Sequence, residues 1–211
     1  MKTKPNPIQT EHHSKIILLL VDGSKSLTDI AVVRDKEVST ISEQMDLLIE
    51  KGFVIKDDKP KDKRYKNSKA FFLNWDTITS SFLDYIETKA KTKFSTPLKI
   101  RMKINPYLKE LLMRALKDHA EVFKKKNESK TIENIFEKIT MHIIYAYPPH
   151  VDTDLIDISN EKDRKSFKSF LEFTSLMGEY LAVDYKDTME SFYEDIRKGW
   201  WDPLKIPKKN N

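Results

Sequence analysis

The chain has 211 residues and a formal net charge of +5, with 39% hydrophobic and 34% charged residues, four glycines and no cysteine. Without cysteine there are no disulfides, thiolate nucleophiles or cysteine-ligated zinc sites, and the scattered glycines do not form a glycine-rich phosphate loop. No apolar run approaches the roughly 18 residues of a membrane-spanning helix, and no secretory signal is recognisable. We therefore expect a cytoplasmic protein without membrane contact.

The positive charge lies in the first two thirds of the chain. Residues 59–69, here called the basic segment, carry six Lys or Arg against one Asp, and residues 88–138 carry fourteen against six acids. Residues 139–195 reverse the balance, with five basic and twelve acidic residues. This distribution permits nucleic acid as a partner of the first part without requiring it.

Two short helices are predicted before residue 35. The apolar run Ile16 to Val21 is too continuous for a surface helix and indicates a buried one that ends at Gly23. Ser26, followed three residues later by Asp29, is typical of a helix start, so a second helix is predicted through LTDIAVV.

A third helix is predicted to begin at Ser39 or Thr40 and to end at Lys51 and Gly52. Thr40 and Glu43 have the spacing of a capping box, and glycine commonly follows a helix. Its apolar residues recur at helical spacing and form one stripe that faces a core: Ile41, Met45, Leu48 and Ile49.

After Gly52 the sequence changes to extended runs. FVIK and KAFFLNW are separated by the charged stretch DDKPKDKRYKNS, which predicts a hairpin with a long basic tip. Three helices followed by a hairpin are the layout of a winged helix-turn-helix domain. We predict such a domain over residues 12–74.

From Trp75 onward the pattern is helical. We predict a connecting helix over residues 75–94 and an all-helical C-terminal domain over residues 95–211, so the fold class is mainly α. The basic stretch KTKFSTPLKIRMK is interpreted as a solvated linker, with an extension of the DNA-contacting surface as the alternative, and the prolines at 148 and 149 end a helix. The aromatic residues of the C-terminal half favour a core or a subunit interface over a ligand pocket.

Residues 26–73 resemble the winged-helix regions of the MarR and ArsR groups of prokaryotic transcriptional regulators. The resemblance rests on Ala31, on Ile41 ten positions later, on the exit from Leu48 to Val54, and on Asp62 and Arg64 in the hairpin tip. It covers about a quarter of the chain. It implies a DNA-binding protein in which Asp62 orients Arg64.

One position departs from the pattern of those regulators. They usually have glycine four residues after the alanine, whereas this chain has Asp35. Aspartate tolerates the left-handed backbone conformation less well than glycine but better than most residues.

Two sets of residues are candidates for DNA contact. The first lies on the third helix and would face base edges in the major groove: Ser39, Thr40, Ser42 and Gln44. The second lies in the basic segment and would contact the backbone: Lys59, Lys61, Lys63, Arg64, Tyr65, Lys66 and Lys69. Against the first set, the third helix carries Glu43, Asp46 and Glu50 and no Lys or Arg before Lys51, so its field repels phosphates.

The leading hypothesis is a transcriptional regulator that binds double-stranded DNA as a homodimer through its C-terminal helices, which serve dimerisation or ligand sensing. The alternative is a winged-helix protein-interaction module of transcription or replication machinery that does not read sequence. No catalytic motif, metal site or cofactor site is predicted, since the five histidines form no H-E-x-x-H pair and no G-x-S-x-G elbow occurs. An enzyme in the helical half remains a third possibility.

Overall fold

The computed structural model describes residues 6–57, 69–126, 131–146 and 160–181. Within these ranges the chain is mainly helical with one two-stranded antiparallel sheet, which confirms the predicted mainly α class. The α-helices are α1 (Glu11–Leu20), α2 (Leu27–Arg34), α3 (Val38–Glu50), α4 (Trp75–Ala90), α5 (Thr96–Lys103), α6 (Pro106–Lys126), α7 (Ile132–Ala146) and α8 (Glu161–Leu181). The strands are β1 (Val54–Asp57) and β2 (Ala70–Leu73).

The chain divides into two compact units. The first comprises residues 1–81 and 111–135, and the second comprises residues 82–110 and 136–211. No helix within the described ranges combines the length and the apolar character needed to cross a membrane.

Helix α1 is the central element of the first unit. Residues 16–20 are all buried, as the continuous apolar run predicted, and the helix packs against α3 and β2. The buried hydroxyl of Ser14 accepts a hydrogen bond from the Ile132 N–H at 2.9 Å and donates one to the Ile8 carbonyl at 3.4 Å. This hydroxyl ties the start of α7 to the core because it satisfies a helix N–H that has no acceptor within its own helix.

The predicted hairpin is present, and a third extended segment lies beside it. β1 and β2 pair antiparallel, with Val54 opposite Leu73 and Asp57 opposite Ala70. On the other side of β2, Lys25 forms an antiparallel bridge with Phe71, in which each N–H donates to the other residue's carbonyl at 3.0 and 2.9 Å. The segment that precedes α2 therefore continues the sheet.

The start of α2 was predicted correctly. The Asp29 N–H donates to the Ser26 hydroxyl at 3.1 Å, and the Ser26 N–H donates to the Asp29 carboxylate at 3.0 Å, which completes a capping box. The helix ends at Asp35, whose φ of 51° and ψ of 54° lie in the left-handed region. Asp35 thus adopts the conformation that glycine favours at this position.

The predicted start of α3 was wrong. The helix begins at Val38, its N-cap is Glu37, and no side chain caps it. Thr40 lies inside the first turn with helical backbone, so its spacing from Glu43 does not form a capping box. The predicted end is confirmed, because the helix stops at Glu50 and Gly52 follows with φ of +73°.

The second unit contains a helix where a linker was expected. Helix α5 occupies residues 96–103, and the Ser95 hydroxyl accepts a hydrogen bond from the Leu98 N–H at 3.4 Å. Leu98 and Met102 are buried, and the Lys99 ammonium contacts the carboxylates of Asp84 and Glu87 at 3.0 and 2.9 Å. The linker interpretation was wrong because it was based on the many charged residues, whereas Leu98 and Met102 form a buried apolar pair at i, i+4 spacing.

Aromatic side chains form much of the core of the second unit. Phe82 meets Phe136 edge to face at 5.2 Å between ring centroids, and Phe94 meets Phe173 at 5.5 Å. Burial of Phe167, Phe170 and Phe173 supports the prediction that aromatic residues of the C-terminal half favour a core. The last part of the predicted helical domain, residues 182–211, and the proline stop at 148 and 149 lie outside the described residues.

Burial also changes the acidity of one core side chain. His142 in α7 is buried, and desolvation lowers its pKa to about 3. The imidazole is therefore neutral at physiological pH, because burial removes the hydration that would stabilise its charged form.

Candidate nucleic-acid interface

A tight corner joins α2 to α3. The Asp35 N–H donates to the Val32 carbonyl at 3.3 Å, and the Lys36 N–H donates to the Ala31 carbonyl at 3.1 Å. The left-handed residue lets these two bonds close the end of α2 before the chain turns, and α2 packs against α3. The corner therefore fixes the direction in which α3 leaves α2.

The buried face of α3 determines which residues point outward. Ile41, Met45 and Leu48 are fully buried. With roughly 100° between successive residues of a helix, the opposite side carries four exposed residues at i, i+4, i+7 and i+11. This outward stripe consists of Ser39, Glu43, Asp46 and Glu50.

The four predicted base-contacting residues do not share one face of α3. Ser39 is exposed and belongs to the outward stripe, whereas Thr40, Ser42 and Gln44 are half-buried. Ser42 and Gln44 are separated by about 200° around the helix, so they lie on opposite flanks of the stripe. The side-chain oxygen of Gln44 is buried and has no hydrogen-bond partner among the described residues.

The electrostatic character of the outward stripe is acidic. Three of its four residues carry carboxylates, and the helix contains no Lys or Arg. The nearest cations along the chain are Lys36 before the helix and Lys51 after it, and both are exposed. The stripe repels phosphates from the middle of α3 to its end at Glu50, whereas the first turn lies beside Lys36 and at the positive end of the helix dipole and tolerates them better.

The two strand ends that the basic segment connects are paired neighbours. Asp57 at the end of β1 is paired with Ala70 at the start of β2, so residues 58–69 depart from and return to adjacent strand ends. Lys69 is exposed beside this point. The other predicted backbone contacts lie outside the described residues: Lys59, Lys61, Lys63, Arg64, Tyr65 and Lys66.

One cation near the corner was not among the predicted contacts. Arg34, in the last turn of α2, is half-buried, and its Nε has no hydrogen-bond partner among the described residues. Desolvation lowers the pKa of Arg34, and the negative charge of Glu11 partly offsets this. The guanidinium remains charged. Its position at a helix C-terminus was visible in the sequence, but its burial was not.

No metal centre is found in the described ranges. Within them, no group of three or more His, Cys, Asp or Glu side chains is arranged to hold a metal ion. The acidic residues Asp152, Asp154 and Asp157 lie outside these ranges.

Comparison of the chain with protein-family models, with curated proteins and with solved structures finds no match.

Proposed function

We propose that residues 12–74 form a winged helix-turn-helix that binds duplex DNA and that the protein is a transcriptional regulator. The observation that carries this proposal is the bridge between Lys25 and Phe71. It places an extended segment between α1 and α2 at the edge of the hairpin sheet, so the chain order is helix, strand segment, helix, helix, strand, strand. That order, with the left-handed corner at Asp35, supports an arrangement in which the third helix and the hairpin loop would face DNA.

In this proposal the basic segment supplies most of the affinity. Its six Lys and Arg residues can neutralise backbone phosphates, and release of the counterions makes binding strongly dependent on salt. Arg64 and Tyr65 would lie near the middle of the loop. The segment connects Asp57 and Ala70, which are paired neighbours at the ends of β1 and β2.

Base reading by α3 would be limited. The acidic outward stripe keeps the middle of the helix away from phosphates, so the first turn, with Ser39 and Thr40, is the part that can approach base edges. Lys36 precedes this turn and is exposed. We therefore expect modest sequence preference and propose that a homodimer formed by the C-terminal helices doubles the contacts on a two-fold site.

A second candidate function is docking to another protein through the same corner. Three valines at this corner are exposed, with Val32 at 75%, Val33 at 58% and Val38 at 44%. Exposed aliphatic side chains beside carboxylates would favour a partner surface that is basic and partly apolar. In that case α3 would contact a protein of the transcription or replication machinery instead of DNA.

Binding of the purified protein to fluorescent duplexes distinguishes the two functions. A duplex from the native upstream region and a random duplex of equal length would be titrated at 50 and 200 mM salt. The DNA-binding proposal predicts affinity that falls steeply with salt, with the upstream duplex bound more tightly. Absence of binding to either duplex at 50 mM salt would contradict it and favour the docking function.

A further inference from the structure

A cavity of about 730 Å³ lies within the second unit, where the end of α5 and the start of α6 meet the first turns of α8. Its volume is within the range of small-molecule sites in proteins. Arg101 and Ile104 lie on one side, and Lys162, Lys165 and Ser169 lie on the other. The two sides are far apart in sequence, so folding alone brings these side chains together.

A buried asparagine side chain links two of the helices that line this cavity. Asn105 is 3% exposed, and its Nδ2 donates to the Ser166 carbonyl of α8 at 2.9 Å. Its Oδ1 accepts hydrogen bonds from the Tyr107 and Leu108 N–H groups at 3.0 and 3.3 Å. The same residue therefore caps α6 and attaches it to α8, which makes the cavity preformed.

Aromatic packing beside the cavity also joins α6 to α8. The rings of Tyr107 and Phe167 meet edge to face at 5.1 Å between centroids, and Tyr107 stacks on Phe170 at 6.3 Å. Burial raises the pKa of Tyr107, and the charge of Asp163 adds to this. These contacts help to fix the spacing between α6 and α8 beside the cavity.

The charged side chains of the cavity favour an anion. Three cations line it, Arg101, Lys162 and Lys165, and one carboxylate does, Asp163. The Asp163 carboxylate is turned toward the start of α8, where it accepts a hydrogen bond from the Asn160 side-chain amide at 2.8 Å. The lining residues therefore carry an excess of two positive charges, while Glu172 and Glu161, which pair with Arg101 and Lys165, lie outside the lining.

The cations have unequal freedom to bind a ligand. Arg101 donates to both oxygens of Glu172 through the same nitrogen, Nη2, at 3.2 and 3.1 Å. Among the described residues, only Glu172 contacts the guanidinium, so Nη1 and Nε can face a ligand with a geometry suited to carboxylate or phosphate oxygens. Lys165 pairs with Glu161 at 2.6 Å, but both side chains are 76% exposed, so the pair is weak and exchangeable.

We propose that this cavity binds a small organic anion, recognised by Arg101 and Lys162, with an apolar portion against Ile104 and Pro106. Ile104 is 75% exposed and lines the cavity, which gives the apolar portion a surface to cover. Ser166 and Ser169 supply further hydrogen-bonding groups. The inference does not depend on DNA binding.

Phenyl phosphate is a suitable probe because it combines an anion with a small apolar ring, and benzyl alcohol is a neutral control of similar size. Binding to the full chain would be measured by isothermal titration calorimetry, beside Arg101→Gln, Lys162→Gln and the matched control Lys168→Gln. Lys168 is exposed on α8 and does not line the cavity. Benzoate in a parallel titration distinguishes a preference for carboxylate from one for phosphate.

We expect phenyl phosphate to bind the wild type and Lys168→Gln equally. Arg101→Gln should weaken binding about tenfold, since a charge-assisted hydrogen bond is lost, and Lys162→Gln about threefold, since an exposed charge is removed. Absence of binding, equal weakening by Lys168→Gln, or equal affinity for benzyl alcohol would overturn the proposal. Lys162 is exposed, so Lys162→Gln retains the fold and keeps the test decisive even if Arg101→Gln does not fold.

Discussion

The buried histidine of α7 makes the stability of the protein depend on pH in a calculable way. Desolvation lowers the pKa of His142 to about 3 in the folded state, from an ordinary value of 6.5. Because the folded-state pKa is the lower one, the unfolded chain binds this proton first as the pH falls. The stability that the neutral His142 provides is therefore fully present above about pH 6.5 and is lost progressively between that pH and about 3.

The size of the effect follows from the two pKa values. Between pH 7 and pH 5 the unfolded state gains the proton while the folded state stays neutral, which costs about 2 kcal/mol of the free energy of unfolding. Urea denaturation followed by circular dichroism at both pH values would measure it. His142→Gln removes the titrating group, so we expect its stability to fall by about 2 kcal/mol less than that of the wild type over the same interval.

Other titrating groups cancel in this comparison. Burial and the neighbouring His12 also lower the pKa of His13, so its protonation destabilises the fold in the same direction. This contribution is present in the wild type and in His142→Gln alike. Equal losses of stability in the two proteins between pH 7 and pH 5 would refute the assignment of a buried neutral imidazole to His142.

Two further predictions concern the helix ends of the first unit. Ser26→Ala removes the N-cap of α2 and should lower the free energy of unfolding by about 1 kcal/mol, whereas Ser80→Ala, which removes a hydroxyl bonded to the Asp76 carbonyl inside α4, should leave it nearly unchanged. Asp35→Gly should maintain or raise stability by up to about 1 kcal/mol, and Asp35→Val should lower it by about 1–2 kcal/mol, because φ is 51° there. Urea denaturation measures all four variants.

These variants have clear contradicting outcomes. If Ser26→Ala and Ser80→Ala lose equal stability, the capping box does not stabilise α2. If Asp35→Val is as stable as Asp35→Gly, the residue does not adopt the left-handed conformation in solution, and the corner between α2 and α3 is built differently.

Helix ends and apolar stripes were predictable because they are set by neighbouring residues. Ser26 with Asp29 marked the start of α2, and Gly52 marked the end of α3. The spacing of Thr40 and Glu43 predicted the wrong start for α3, because a capping box forms only when its first residue has extended backbone. In α3 that position is taken by Glu37, with φ of −62° and ψ of 143°.

Features set by distant residues were not predictable. The pairing of Lys25 with Phe71 depends on long-range packing, in which α1 contacts β2 and the segment after α1 lies beside that strand. No local pattern at Lys25 indicates a strand. The cavity between Arg101 and Lys162 likewise needs α5 and α8 to be adjacent. The start of α5 does have a local signal, because Ser95 caps the helix and a proline follows in its first turn.

The candidate DNA contacts on α3 were predicted from residue type, but they do not share one face of the helix. Polar residues in the sequence indicated that Ser42 and Gln44 could face a groove. Burial of Ile41, Met45 and Leu48 turns these two side chains to the flanks and leaves the carboxylates at the centre. The direction of a helix face is set by what the opposite face packs against, which the sequence does not specify for each polar residue.

The most direct test of the proposed function compares the salt dependence of DNA affinity in two triple variants with equal charge change. Lys61, Lys63 and Arg64 would be changed to Ala in one variant, and the exposed Lys103, Arg164 and Lys168 would be changed to Ala in the other. If three phosphate contacts are lost, the slope of log affinity against log salt becomes shallower by about 2.7 in the first variant only. Equal slopes in the two variants would contradict the account, because the basic segment would then contribute no specific phosphate contacts.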